Sequence, residues 1–319
     1  MYNPKKTFGL IKEVIHSLEA LLSENKIIVE SNSQFENVYL LADNLDSEDF
    51  IKICAQLKID EDEAMAQIMG CYHISQLIKD LSSKSGFDVF RKHLNLLGSS
   101  SFVQNVKASV TDSGSNKVLE LLFGLGAFAV GENLKLDDPE NSKGDNPDII
   151  VDLDNHKWGF ACKVISGDNP QTLYQNFEKA VEQIEKSDAE IGITVLNYKN
   201  KFPSSELIPR DTSSDNEKKY FYFLNHYAPV EIVIRFVHKK IMEMIETVGS
   251  QNINNLFSNK KTLPGCIVFN QNLTTSENEN VPTYTINTFL QLIPFNTEKY
   301  WNNYELTFGK INDSFHNIY

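Results

Sequence analysis

Residues 146–163 (NPDIIVDLDNHKWGFACK) constrain the fold more than any other stretch of this chain. Asn146-Pro147-Asp148 opens an apolar, β-branched run, Ile149 to Leu153, and a second run, Trp158 to Cys162, returns to end on Lys163. Both runs have strand length, and Asp154-Asn155-His156 between them is turn chemistry, so the segment predicts a β-hairpin. With Asn155-His156 as a two-residue loop, Leu153 falls near Trp158 and Asp148 falls opposite Lys163. Directly opposed residues share a face and lie close enough to act on one ligand. A carboxylate beside a lysine supplies an oxygen ligand for Mg²⁺ and a fixed positive charge, the two requirements of metal-assisted phosphodiester cleavage.

The flanking sequence builds further elements around the hairpin. Pro170 to Ser187 carries Leu173, Phe177, Val181 and Ile184 at helical spacing, with Pro170 suited to a first turn and Asp168 or Asn169 to the cap. Ile191 to Leu196 reads as a buried strand. Asn116 to Val130 reads as a helix with Ser115 or Asn116 at its N-cap. The order over residues 113–200 is therefore helix, hairpin strands, helix, strand.

On Pro147-Asp148, Ala161-Cys162-Lys163 and this order of elements, the chain resembles the PD-(D/E)xK nuclease superfamily, whose restriction-endonuclease-like core is an αβββαβ unit. The resemblance implies an α/β fold of that kind, with a mainly helical N-terminal region and a C-terminal extension. It implies catalytic roles for Asp148 and Lys163, for Glu120 on the first helix and for Glu178 on the second, with Gln175 and Gln183 available to contact substrate. Asp148, the Cys162 backbone carbonyl and Glu178 are the implied metal ligands, with Glu120 as the alternative carboxylate. Magnesium suits such an all-oxygen set, and manganese is its usual substitute. Lys163 would orient the attacking water and stabilise charge on the phosphoryl group. The Cys162 side chain, by strand alternation, points away from the Asp148–Lys163 face.

The family's strand acid is replaced here by Ala161. Three explanations stand. The acid has migrated to the following helix, where fourteen residues separate Glu178 from Lys163; or alanine is an inactivating replacement; or the domain is a degenerate nuclease that only binds. The ordinary readings stand beside these: Asp148 as a loop-to-strand residue, Lys163 as a snorkelling strand terminus, and Glu178 and Glu182 as solvated helix charges. Glu120 lies in the apolar stretch Val118 to Val130, where an unpaired carboxylate is costly.

Composition limits the function. A chain of 319 residues, 41% hydrophobic, is long and apolar enough for one or two packed domains. No apolar run has membrane-spanning length and the first residues lack a signal-peptide core, so the expectation is a cytoplasmic protein without membrane partners. Cys54, Cys71, Cys162 and Cys266 have no metal-ligand spacing and suit a reducing compartment. The net charge of -13 runs against the basic footprint of nucleic-acid binders, so delivery or gating of the substrate by a partner protein is part of the expectation, and a homo-oligomer stands beside it as a second candidate partner.

Three regions follow. Residues 1–100 form a mainly helical accessory region, with helices at Phe8 to Leu22, Asp46 to Leu57 and Glu61 to Leu81 and a short strand at Lys26 to Glu30. Residues 101–270 form the nuclease-like core, with a polar loop insertion at 202–217, a helix at Val230 to Val248 and a strand at Gly265 to Asn270. Residues 271–319 form an aromatic-rich cap that begins with an Asn/Glu/Thr-rich loop to Pro282. The expected function is a Mg²⁺-dependent endonuclease cutting DNA, with RNA as the second candidate substrate, of the sort found in bacterial restriction or antiviral defence. The alternative is a catalytically inactive, nuclease-like nucleic-acid-binding or scaffold subunit.

Overall fold

The computed structural model describes residues 4–100, 113–141, 144–198, 210–211, 219–220, 227–278, 281–295 and 302–316. The 202–217 insertion expected from the sequence lies almost wholly outside the described residues. The N-terminal third is helical: α1 (Pro4–Glu24), α2 (Gln34–Asp43), α3 (Asp49–Leu57), α4 (Glu61–Leu81) and the short α5 (Arg91–Asn95). Then come α6 (Ser113–Val130), β1 (Glu132–Leu136), β2 (Ile149–Leu153), β3 (His156–Ile165), α7 (Pro170–Lys186) and β4 (Ile191–Tyr198). The chain continues through two-residue strands β5 (Arg210–Asp211) and β6 (Lys219–Tyr220), α8 (Tyr227–Val248), α9 (Ser250–Phe257), β7 (Thr262–Asn278), β8 (Val281–Pro294) and α10 (Asn302–Ser314).

The result is a mixed α/β protein around an open six-stranded sheet of order β1-β2-β3-β4-β7-β8. β1, β2 and β3 form an antiparallel meander, β3, β4 and β7 run parallel, and β8 returns antiparallel on β7. Alternation along β3 divides its side chains between two cores. Trp158, Phe160 and Cys162 join α1, α2, α4 and α6 in one apolar core, whereas Ile165 joins α7, α8 and α9 in the other. Helices thus cover both faces, as parallel strands buried on both sides require. No helix among the described residues is long and apolar enough to cross a membrane.

Local chemistry explains the elements that fix the site. Asn169 caps α7 by accepting hydrogen bonds from the Gln171 and Thr172 amides at 2.8 and 3.2 Å, and Pro170 follows it in the first turn. Asp60 caps α4 from 2.8 Å at the Glu63 amide, ahead of an acidic first turn. α6 is buried nearly all round, from Val118 to Phe128, between the sheet and the N-terminal helices. α7 presses closely on the sheet: a Cβ on Gly192 would lie 2.6 Å from the Gly159 carbonyl oxygen and 2.5 Å from Ile184.

Three expectations are corrected. The β2–β3 turn is Asp154-Asn155, not Asn155-His156; both turn residues have positive φ, 49° and 66°, and Leu153 pairs with His156. Asp and Asn tolerate the left-handed region far better than His does, so the turn settles one residue earlier. Trp158 consequently pairs with Val151. Residues 27–30 form no strand: their one ladder-like bond runs from the Glu30 amide to the Gly98 carbonyl, in a segment with no strand beside it. The polar stretch read as a loop from Gln271 is instead the outer half of a long β7–β8 hairpin, paired from Gly265↔Pro294 to Asn278↔Val281.

The C-terminal aromatics that are described pack inward. Tyr304 and Phe308 meet the Trp158 ring edge-on at 5.2 Å, and Phe315 packs on Phe269 at 5.3 Å. Tyr300, Trp301 and Tyr319 lie outside the described residues.

Candidate functional site

Where β2 and β3 diverge, the hairpin opens into a fork, and Asp148 fills it. Asp148 stands just before β2, and its backbone oxygen accepts the Asp137 amide at 2.9 Å. Its Oδ2 accepts the Cys162 N–H at 2.7 Å, so the carboxylate takes the place of a backbone acceptor at the end of the ladder. The Ile149↔Phe160 pairing puts Asp148 level with Ala161, two positions short of the expected Lys163 partner. The Lys163 ammonium still reaches it, with Nζ 4.0 Å from Oδ2.

On the α6 side, the Asp148 carboxylate lies beside Glu120, close enough that each acid acts on the other's ionisation. Lys117, one turn earlier on α6, places Nζ 2.7 Å from Glu120 Oε1 and 3.5 Å from Asp148 Oδ1. His93 on α5 adds Nε2 at 3.5 Å from Glu120 Oε2. On the α7 side, Lys163 Nζ donates to Gln183 Oε1 at 2.6 Å. Glu120, Asp148, Gln183 and His93 are all buried.

Electrostatics follow from this burial. Asp148 is pushed up to about 6, chiefly by desolvation and then by the Glu120 carboxylate, against the pull of Lys163 and Lys117. Glu120 is also raised, by desolvation that outweighs Lys117. Burial lowers the Lys117 ammonium, but Glu120 and Asp148 outweigh it and the net shift is upward. Burial and then Lys117 bring His93 down to about 4, which keeps the imidazole neutral at physiological pH. The Cys162 thiol is pushed well up by burial and by Asp148, which makes it a poor nucleophile.

The structure therefore brings Glu120, Asp148, Lys163 and Gln183 into one cluster and leaves two other candidates outside it. Glu178 and Gln175 are exposed on α7, and Glu178 lies beside Tyr174, one turn earlier. Gln183 lies five positions after Glu178, about 140° around a helix, so a face that offers one to the sheet turns the other away. Cys162 touches Asp148 through its N–H, and its side chain lies in the α6-side core. Ala161 is fully buried against Ala180 and Ile184. Thr194, level with it on β4, has an Oγ1 without a hydrogen-bond partner among the described residues.

Two participants are new. Lys117 had a sequence signal, a lysine three residues before the only acid of an apolar helix. His93 had none, because it arrives from a separate short helix.

The two carboxylates offer hard oxygen donors, and Mg²⁺ characteristically binds through one or two carboxylates with water completing its shell. The donor set fits such an ion, although no three His, Cys, Asp or Glu among the described residues form a ready metal-binding group. Lys117 stands between the acids, where a divalent cation's charge would act. No family model, curated protein or solved structure matches the chain.

Proposed function

We propose that the cluster is a nuclease-like site and that the protein is a metal-dependent endonuclease acting on DNA. One observation carries this reading: Glu120 on α6, Asp148 just before β2, Lys163 on β3 and Gln183 on α7 converge at one fork of the sheet. The order α6-β1-β2-β3-α7-β4, with an antiparallel meander followed by a parallel strand, supports a restriction-endonuclease-like core.

Asp148 and Glu120 would hold Mg²⁺ or Mn²⁺. When bound, such an ion lowers the pKa of water and stabilises the leaving oxygen of a phosphodiester. The protein's own contribution is positional. Gln183 fixes the Lys163 ammonium at the mouth of the fork, where it can bind a phosphoryl oxygen and stabilise the charge that grows there. The Cys162 amide locks the orientation of Asp148, so that carboxylate needs no reorganisation. Burial on the α6 side excludes bulk water from the acids and strengthens each of these interactions.

A second reading, an inactive nuclease-like binding or scaffold subunit, is favoured by Ala161 at the strand-acid position and by the net charge of -13. Incubating the wild-type chain, Lys163→Ala and Ala161→Glu with plasmid, linear and single-stranded DNA, and with RNA, in Mg²⁺ or Mn²⁺ separates the two. Cleavage by wild type that is lost in Lys163→Ala supports the endonuclease. Cleavage only after Ala161→Glu identifies a site that has lost its acid, and no cleavage by any version overturns the enzyme reading.

A further inference from the structure

We propose that Lys117 is the resident counter-cation of a divalent-ion site, and that an ion displacing it gains His93 as a ligand, which favours Mn²⁺ over Mg²⁺. This deepens the nuclease-like reading and rests on it for the location of the site, but its own argument is geometric.

Three features of the cluster support it. First, Lys117 Nζ lies within 2.7 Å of one buried acid and 3.5 Å of the other, so a monovalent charge occupies the space that two carboxylates would offer to a divalent one. Second, Lys117 can leave. Its side chain is 18% exposed, against 6% for Glu120, 7% for Asp148 and 1% for His93, and its flexible stem opens to solvent while the acids and imidazole stay fixed. Third, His93 is buried with neither ring nitrogen hydrogen-bonded among the described residues, yet its Nε2 points at Glu120 from 3.5 Å. A buried polar group without a partner is costly, and an incoming cation beside Glu120 would satisfy it.

The choice of ion follows from ligand chemistry. Carboxylates accept Mg²⁺ and Mn²⁺ alike, but Mn²⁺, the softer of the two, tolerates one imidazole nitrogen among its oxygen ligands better than Mg²⁺, which is harder and dehydrates reluctantly. Ionic exchange at Lys117 would also make occupancy depend on the competing lysine, so apparent affinity would rise when that charge is removed. Loss of even a modest competing interaction of 1.4 kcal/mol corresponds to about tenfold in affinity.

The test titrates MnCl₂ into the full chain and follows loss of the free-ion electron paramagnetic resonance signal, with MgCl₂ as competitor. Wild type, Lys117→Met, Lys117→Gln and the double variant Lys117→Gln/His93→Phe are compared, with folding checked by circular dichroism. The expected result is Mn²⁺ binding about tenfold tighter in both single variants than in wild type. A clear Mn²⁺ preference over Mg²⁺ is also expected, disappearing with His93→Phe. If Lys117→Met folds only when Mn²⁺ is present, that rescue supports the proposal equally. Unchanged affinity in folded Lys117 variants, or failure of Mn²⁺ to rescue unfolded ones, overturns it. Equal affinity for the two ions with His93 present overturns the role of His93. DNA cleavage is scored separately: tight Mn²⁺ binding without cleavage sinks the endonuclease reading alone, and cleavage with unaltered Mn²⁺ affinity in the Lys117 variants sinks this inference alone.

Discussion

The β2–β3 hairpin has an aspartate at each end, and the two behave in opposite ways. Asp154, in the turn, accepts from Thr307 Oγ1 at 2.7 Å and pairs with Lys310 on α10, and these hydrogen bonds hold its carboxyl below the usual range. Asp148, six residues earlier at the fork, also has lysines beside it, yet is pushed up to about 6. The difference is solvent. Asp154 keeps 38% of its side chain exposed, so ionisation costs little and each donor favours the charge. Asp148 keeps 7% and shares its pocket with a second acid, so desolvation and like charge outweigh two ammonium groups. Proximity of a lysine does not by itself decide the state of a carboxylate; what surrounds the pair does.

The largest test of this contrast removes a lysine from each end. Lys117→Met in the absence of divalent ions leaves two buried acids with less compensation and should cost about 3 kcal/mol in urea denaturation at pH 7. Lys310→Met removes a partner from an exposed pair and should cost about 1 kcal/mol or less, with the difference shrinking in high salt. Equal costs would erase the distinction between fork and turn.

The next test is pH. A raised carboxyl pKa means that the native state binds the proton more tightly, so Asp148 favours folding below about pH 4, and that advantage is lost as pH climbs towards about 6. Wild type should therefore lose stability relative to Asp148→Asn across that window, by on the order of 2 kcal/mol. Asp154 has the reverse sign: its lowered pKa adds stability above its unfolded value, which is lost as pH falls. Wild type should lose stability relative to Asp154→Asn only on acidification below about pH 4, and stepped-pH denaturation of both variants distinguishes the two curves. The smallest expected effect lies in the turn backbone. Asn155 sits at φ 66°, so Asn155→Gly should stabilise by about 0.5 kcal/mol, read as a small rise in Tm.

The same hairpin shows what the residue pattern disclosed. Its strands were legible from two apolar runs, and α4 and α7 from their periodicity and caps at Asp60 and Asn169. The register was not, because Asp154-Asn155 and Asn155-His156 are both plausible two-residue loops until the left-handed backbone is considered. Moving the turn by one residue moves every cross-strand partner by two and leaves the faces unchanged, so Asp148 kept its neighbourhood although its partner became Ala161. The missed stretch begins with Gln271 and Asn272, polar residues that are nevertheless buried inside the fold. Asn270 Nδ2 donates to Asn272 Oδ1 at 2.9 Å and Asn197 Nδ2 donates to Asn270 Oδ1 at 3.1 Å. Strand propensity scores such residues as loop because it cannot see their partners.

At the site, Glu120 and Gln183 could be nominated from order along the chain, and the structure places both in the cluster. Glu178 could be nominated only by spacing after Lys163, and spacing along a helix does not fix which flank meets the sheet. His93 could not be nominated at all, since the contact depends on how α5 lies against α6.

One core runs from Ile11 on α1 to Phe315 beyond α10, and it includes the α6 residues that carry Glu120 as well as Trp158 on β3. Phe315 is seated so closely that a Cβ on Gly126 would lie 2.2 Å from its ring. A fragment spanning 101–270 would therefore expose Trp158 and the side of α6 turned away from the sheet, so proteolytic trimming should degrade the protein as a unit instead of releasing a minimal nuclease-like domain.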